Sequence, residues 1–143
     1  MDWTVDTCVL YEVVEAKPQA TYLLMRIMLK QHRVAFDHEG RIRREYETCV
    51  RGRENRLVGK WFAHVVSKLA IYFSGRLPNR HRKALEGLGF DRSDWPFVAV
   101  CSRTESKNLV SKDSDYTDEV RAYVAKEMDV TVLSIAEASG LAG

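Results

Sequence analysis

The sequence predicts an α/β fold with a parallel sheet. Two observations carry that prediction. Four short β-prone apolar runs alternate with longer stretches of helical periodicity, the pattern of βα units whose crossovers make the strands parallel. Two of those runs are followed closely by aspartates, Asp6 and Asp113, at the carboxyl ends where open α/β sheets place their ligands. A chain of 143 residues fits one domain with a real core, so residues 1–143 are read as a single unit.

Taken in order, Trp3 to Val5 is the first strand and Asp6 ends it. Thr7 can bond a ligand or cap the helix over 8–15, whose apolar residues are Val9, Leu10, Val13 and Val14. Asp6 itself has an alternative role as a helix-capping carboxylate. Lys17-Pro18 breaks the chain before an amphipathic helix over 19–31. Arg33 to Phe36 is the second strand, and His38-Glu39-Gly40 is a turn.

A helix over 41–53 follows, with Ile42, Tyr46, Cys49 and Val50 on its apolar face. Glu45 borders that face and is the inward acid, or else a surface partner of Arg41. Glu47 lies about 200° round the helix and should face water. Gly52 and Arg53 to Arg56 read as a basic loop. Leu57 to Phe73 is the longest helical pattern. Asn79 to Lys83 is a dense basic run opening a helix that Gly87 and Gly89 close. The segment 41–90 is thus predicted to hold no strand and to pack over one end of the sheet.

Residues 94–115, DWPFVAVCSRTESKNLVSKDSD, are the centre of the chain. Asp94 and Pro96 start a buried helix, with Asp91 or Ser93 as its cap. Asn108 to Ser111 is a short buried strand leading into Asp113 and Asp115. Tyr116 to Met128 reads as a helix started by Thr117 and Asp118. Val130 to Leu133 is the last strand, and Ser134 to Ala138 a short helix with a frayed end beyond it.

The net charge of +2 conceals an asymmetry. Residues 41–92 hold 13 Lys/Arg against 5 Asp/Glu, whereas 1–40 and 93–143 are net −2 and −4. A basic middle between acidic ends suits a chain that grips a polyanion and gathers carboxylates round a cation; a solvated charged surface is the plainer explanation. No apolar run reaches the roughly 20 residues that span a bilayer, so no membrane partner is expected. The start of the chain shows no signal-peptide pattern. Three scattered cysteines argue against a disulfide framework and for the cytoplasm. The four histidines lack zinc spacing and read as surface or packing residues, with His81 near a bound strand. Phosphate-loop and GxSxG patterns are missing.

Three local patterns carry a family resemblance: VDTCVL at 5–10, REYETCV at 44–50, and DWPFVAVC with LVSKDSDY at 94–116. In this order the chain resembles a PIN domain, the nuclease fold of virulence-associated toxins and several RNA-processing enzymes. The resemblance implies a three-layer α/β/α arrangement. It makes Asp6, Glu45, Asp94 and Asp113 the catalytic acids. Asp6, Asp94, Asp113 and Asp115 would bind Mg²⁺ or Mn²⁺, with Thr7 and Ser111 as supporting hydroxyls. Ser111 stands where the family often has Thr. The implied function is a metal-dependent endoribonuclease cutting single-stranded RNA, as a toxin with an antitoxin partner or as a stand-alone enzyme, with a homodimer as a further expectation.

The chemistry is consistent on its own terms. Mg²⁺ takes one or two carboxylates and keeps several waters, so this many acids suffice. Crowded carboxylates repel, so at least one pKa should rise without a cation. Arg41, Arg44, Arg80, Arg82 and Lys83 are the nucleic-acid-binding candidates. Trp61 and Trp95 read as core. A non-catalytic nucleic-acid-binding module is the competing function. A phospho-accepting receiver domain would need adjacent acids after the first strand and a lysine after the last; neither is present.

Overall fold

A computed structural model describes residues 1–51 and 56–143. Residues 52–55 of the expected basic loop, and with them the end of the helix expected over 41–53, lie outside the described residues; Arg56, expected in that loop, instead begins a helix. Five strands form one all-parallel sheet: β1 (Asp2–Val5), β2 (Arg33–Asp37), β3 (Ala70–Phe73), β4 (Asn108–Val110) and β5 (Thr131–Leu133), in the order β3-β2-β1-β4-β5. The helices are α1 (Thr7–Val14), α2 (Pro18–Leu29), α3 (Arg41–Val50), α4 (Arg56–His64), α5 (Asn79–Gly87), α6 (Trp95–Arg103), α7 (Asp118–Met128) and α8 (Ile135–Ala142). They sandwich the sheet in a three-layer α/β/α arrangement, as expected. On one side α6 crosses β1, β2, β3 and β4; α1 to α4 pack on one another, and α8 joins them through α2. With both faces covered, β1 is buried along its whole length. Among the described residues no helix is long and apolar enough to cross a membrane.

The starts of α2, α6, α7 and α8 follow from local sequence. Pro18 and Pro96 sit in the first turns of α2 and α6, where a missing N–H costs nothing. Thr117 caps α7 by accepting from the Val120 N–H, and Ser134 with Glu137 forms a capping box on α8. Asp91, not Ser93, caps the short 3₁₀ turn before α6.

The expectation of a strandless segment 41–90 is overturned. The helical pattern over 57–73 ends at His64, passes through a π-helical turn at Val65–Leu69, and becomes β3, paired in register with β2 from Val34↔Ala70 to Asp37↔Phe73. No Gly or Pro separates helix from strand, so the usual stop signal is missing. The frayed tail is also corrected: α8 continues to Ala142, burying Ala138 and Ala142. The Ala142 carbonyl lies 3.1 Å from His32 Nε2, and the Gly143 carbonyl accepts from Arg26.

The turn after β3 is held tightly. Arg103, in the last turn of α6, donates to the Ser74 and Arg76 carbonyls. Glu39 accepts the Gly75 N–H at 2.7 Å. A Cβ on Gly75 would lie 2.7 Å from Asp37 Cβ and 2.9 Å from Glu39 Oε1, so a side chain there must displace the β2 terminus. Gly75→Ala should lower the unfolding free energy by about 1–3 kcal/mol, read from urea titrations. Unchanged stability would show that the β2 and β3 termini are not so closely apposed.

Candidate metal centre and basic clefts

The centre is assembled by the pairing of β1 with β4. Their register matches Trp3 with Asn108, Thr4 with Leu109 and Val5 with Val110, so the next residues out, Asp6 and Ser111, face each other. Asp6 donates its N–H to the Val110 carbonyl, and Ser111 donates its hydroxyl to Asp6 Oδ2 at 2.6 Å. Ser111 Oγ in turn accepts the Asp113 N–H at 3.0 Å, and Asp113 Oδ1 accepts the Asp115 N–H at 2.9 Å. Since β1 continues to β2 on one side and neighbours β4 on the other, this edge is the topological switch point of the sheet.

Asp94 reaches the same place from the start of α6. One carboxylate oxygen from each of Asp6, Asp94 and Asp113 falls within 4.8 Å of the others, a group that could hold a metal ion. The alternative of Asp6 as a helix cap fails: it stands at the cap position of α1 but makes no side-chain capping bond. Burial raises its pKa, the Ser111 hydroxyl offsets part of that, and the Asp113 charge adds to it. Asp94 is pushed up to about 9, first by burial, then by a hydrogen bond with Asp115 and by the charges of Asp6, Asp113 and Asp115. Its Oδ2 is buried without a hydrogen-bond partner, and so is the nearby Tyr116 hydroxyl. An orphaned carboxylate oxygen beside two other acids fits a hard cation: all donors are oxygens, as such an ion requires.

Glu45 lies beside this trio and is not part of it. Tyr46 donates its buried hydroxyl to the Val5 carbonyl, which pins α3 against the end of β1. Glu45, half-buried, then accepts the Thr7 hydroxyl at 3.0 Å. Burial raises its pKa and Asp6 adds to the rise, while Arg41 pulls it down. Glu47 is taken up by Arg43 at 3.1 Å and Arg51 at 3.8 Å.

Two clefts flank the acids. One, of about 480 Å³, is lined by Thr7, Tyr11, Arg41, Arg44, Glu45, Thr48 and Ser93. The other, of about 530 Å³, is lined by Arg41, Gly75, Arg76, Leu77, Arg82, Arg92 and Trp95. Of the basic run on α5, Arg82 lines the second cleft. Arg80 lies near His81 and Tyr123, and Lys83 is exposed on α5. His81 is buried with Nδ1 2.7 Å from the Tyr123 hydroxyl, so it packs α5 on α7 rather than meeting a ligand. Trp95 and Trp61 are buried, as expected. Arg92 escaped the sequence reading; its place two residues before Asp94 is the signal that could have found it. Cys8 also escaped it: the thiol sits 3.6 Å from Ser111 Oγ and is pushed up to about 11 by burial and by Asp6.

No protein-family profile, curated protein or solved structure matches the chain.

The Asp94 shift has a measurable consequence. A folded-state pKa above the ordinary value of 3.8 means the native protein keeps a proton that the unfolded chain releases. Between 3.8 and about 9, rising pH therefore favours unfolding. Asp94→Asn carries no such proton. In EDTA, the unfolding free energy of the native protein minus that of Asp94→Asn should fall steadily across that window. A flat difference would mean that Asp94 is not held protonated.

Proposed function

We propose that this protein is a metal-dependent endoribonuclease of the PIN type acting on single-stranded RNA. The observation that supports it best is the convergence of Asp6, Asp94 and Asp113 at the switch point of a parallel sheet, between two arginine-lined clefts. Such a site has the two parts that phosphodiester hydrolysis needs, a cation-binding acid cluster and cationic walls for the flanking phosphates.

Asp6, Asp94 and Asp113 would hold Mg²⁺ or Mn²⁺, with Asp115 close behind through Asp94. Such an ion, when bound, supplies a more acidic water and charge neutralisation at the phosphate undergoing in-line attack. The chain's own groups do the rest. Ser111 holds the Asp6 carboxylate in place through Oγ, and the Asp113 N–H holds Ser111. Thr7 fixes Glu45 by one oxygen, leaving the other to accept a proton from an attacking water. Arg41 and Arg44 line the wall on the Glu45 side and can bind phosphate.

Asp6→Asn and Asp113→Asn should each cut the cleavage of a single-stranded RNA pool by about two orders of magnitude or more. EDTA should abolish cleavage, and Mg²⁺ or Mn²⁺ restore it. Equal cleavage in EDTA would sink the metal reading. Tight RNA binding with no cleavage under any divalent ion would leave a binding module instead. Ser111→Ala, which removes only the hydroxyl holding Asp6, should cost about 10–100-fold in activity or metal affinity, read as a higher metal concentration at half-maximal rate.

A further inference from the structure

The second cleft differs in kind from the first. Arg41, Arg76, Arg82 and Arg92 line it with Leu77 and Trp95, and no acid is among the lining residues. Arg82 and Arg92 each place the guanidinium carbon 5.6 Å from the centre of the Trp95 ring. That cation–π contact restrains two long side chains that would otherwise lose entropy on binding. Among the described residues Arg92 pairs with Glu86 at 3.5 Å on the exposed surface, and Glu39 accepts the Gly75 N–H beside Arg76 at the cleft's edge. Trp95 is 8% exposed, so with two guanidiniums on the ring it has little face left for a stacking base.

Four arginines in one cleft repel one another and call for a multivalent anion. Their planar forks match phosphate oxygens in pairs. Without an exposed aromatic face, the cleft reads charge and not base identity. Its place is also informative: Trp95 follows Asp94 directly, and Arg41 lines both clefts. A strand occupying both would run past the acids.

The geometry points to a sequence-blind phosphate subsite in this second cleft, holding the backbone of a single-stranded nucleic acid to one side of the metal centre. The assignment rests on the protein acting on nucleic acid, but not on its cutting it.

The test is binding in EDTA, where a metal-dependent nuclease is silent. A fluorescein-labelled oligouridylate is titrated against the native protein and two charge-matched double variants, Arg82→Ala/Arg92→Ala and Arg80→Ala/Lys83→Ala, over a range of KCl. The first pair should weaken binding about tenfold or more and make the logarithmic salt slope shallower by about 1.4, as two lost phosphate contacts on a single strand require. The second pair should change the slope by less than half as much. Arg82→Lys/Arg92→Lys should keep most of the slope while losing affinity, since charge remains and the forks do not. Oligoadenylate and oligocytidylate should bind within a few fold of oligouridylate. Equal slope changes in the two alanine pairs would reduce the cleft to net charge and overturn the subsite. A strong base preference, or no binding of any of the three strands, would overturn it too. Absent cleavage with the slope difference intact removes the nuclease reading alone; cleavage lost in Asp6→Asn with no slope difference removes the subsite alone.

Discussion

The pairing of β1 with β4 is the constraint on which the rest of the structure depends. The two strands are far apart in sequence, and only their register brings Asp6 opposite Ser111. Side chains alternate along a strand, so a slip of one residue would turn Asp6 from the ligand side and drive polar groups into the core. The register is enforced by apolar residues: Val5, Leu109 and Val110 are fully buried. It is enforced again at the other end, where Asp2 accepts the Glu105 N–H at 3.2 Å and donates its own N–H to the Ser106 hydroxyl at 2.9 Å. Core packing and edge polar bonds together fix the Asp6 carboxylate and the Ser111 hydroxyl to within a hydrogen bond.

Holding acids together in this way opposes stability. Asp6, Asp94 and Asp113 crowd together, and burial raises the cost of a charge on Asp6 and on Asp94. The surroundings are correspondingly rigid. The residues of α6 from Trp95 to Cys101 are all buried. Tyr46 is buried and bonded to the end of β1. A site whose own charges favour opening must be over-determined by its frame, and such conflicts between local energy and global packing gather where a protein works.

Much of this was legible in the sequence, for identifiable reasons. Strands β1, β2, β4 and β5 were readable because each short apolar run is bounded by polar or turn residues. The trio Asp6, Asp94 and Asp113 was readable because each acid sits at the end of a strand or the start of a helix. Strand β3 was hidden: Leu69 extends the four-residue spacing of Trp61 and Val65 up to the strand, and periodicity cannot separate a buried helix from a short strand in such an apolar run. The length of α8 was hidden because Ser139, Gly140 and Gly143 look like a loose end. Only the α2 surface shows why Ala138 and Ala142, one helical turn apart, are buried. Arg92 was hidden because its one local signal, its place two residues before Asp94, does not show the cleft it lines. Its role comes from Trp95 and from residues brought in by α3, α5 and the turn after β3.

The sharpest lesson lies in two acids with the same local pattern. Asp6 and Asp37 each end a buried parallel strand next to a helix, and both are themselves buried. Sequence pattern alone would rank them equally as ligands. After Asp37 the chain makes a turn through Gly40, whose φ of +80° is open to glycine at little cost. That turn brings the start of α3 over the carboxylate, which accepts the Arg41 and Ile42 N–H groups at 2.9 and 2.8 Å. Both oxygens are used on backbone. After Asp6 the chain enters α1 at once with Thr7, and the Asp6 side chain, at the cap position, makes no capping bond to that helix. Its carboxylate takes the Ser111 hydroxyl and stands beside Asp113, with Thr7 and Cys8 as further hydrogen-bond partners. Of two acids with one local pattern, Asp37 is spent on the start of α3, while Asp6 stands in the group that could hold a metal ion.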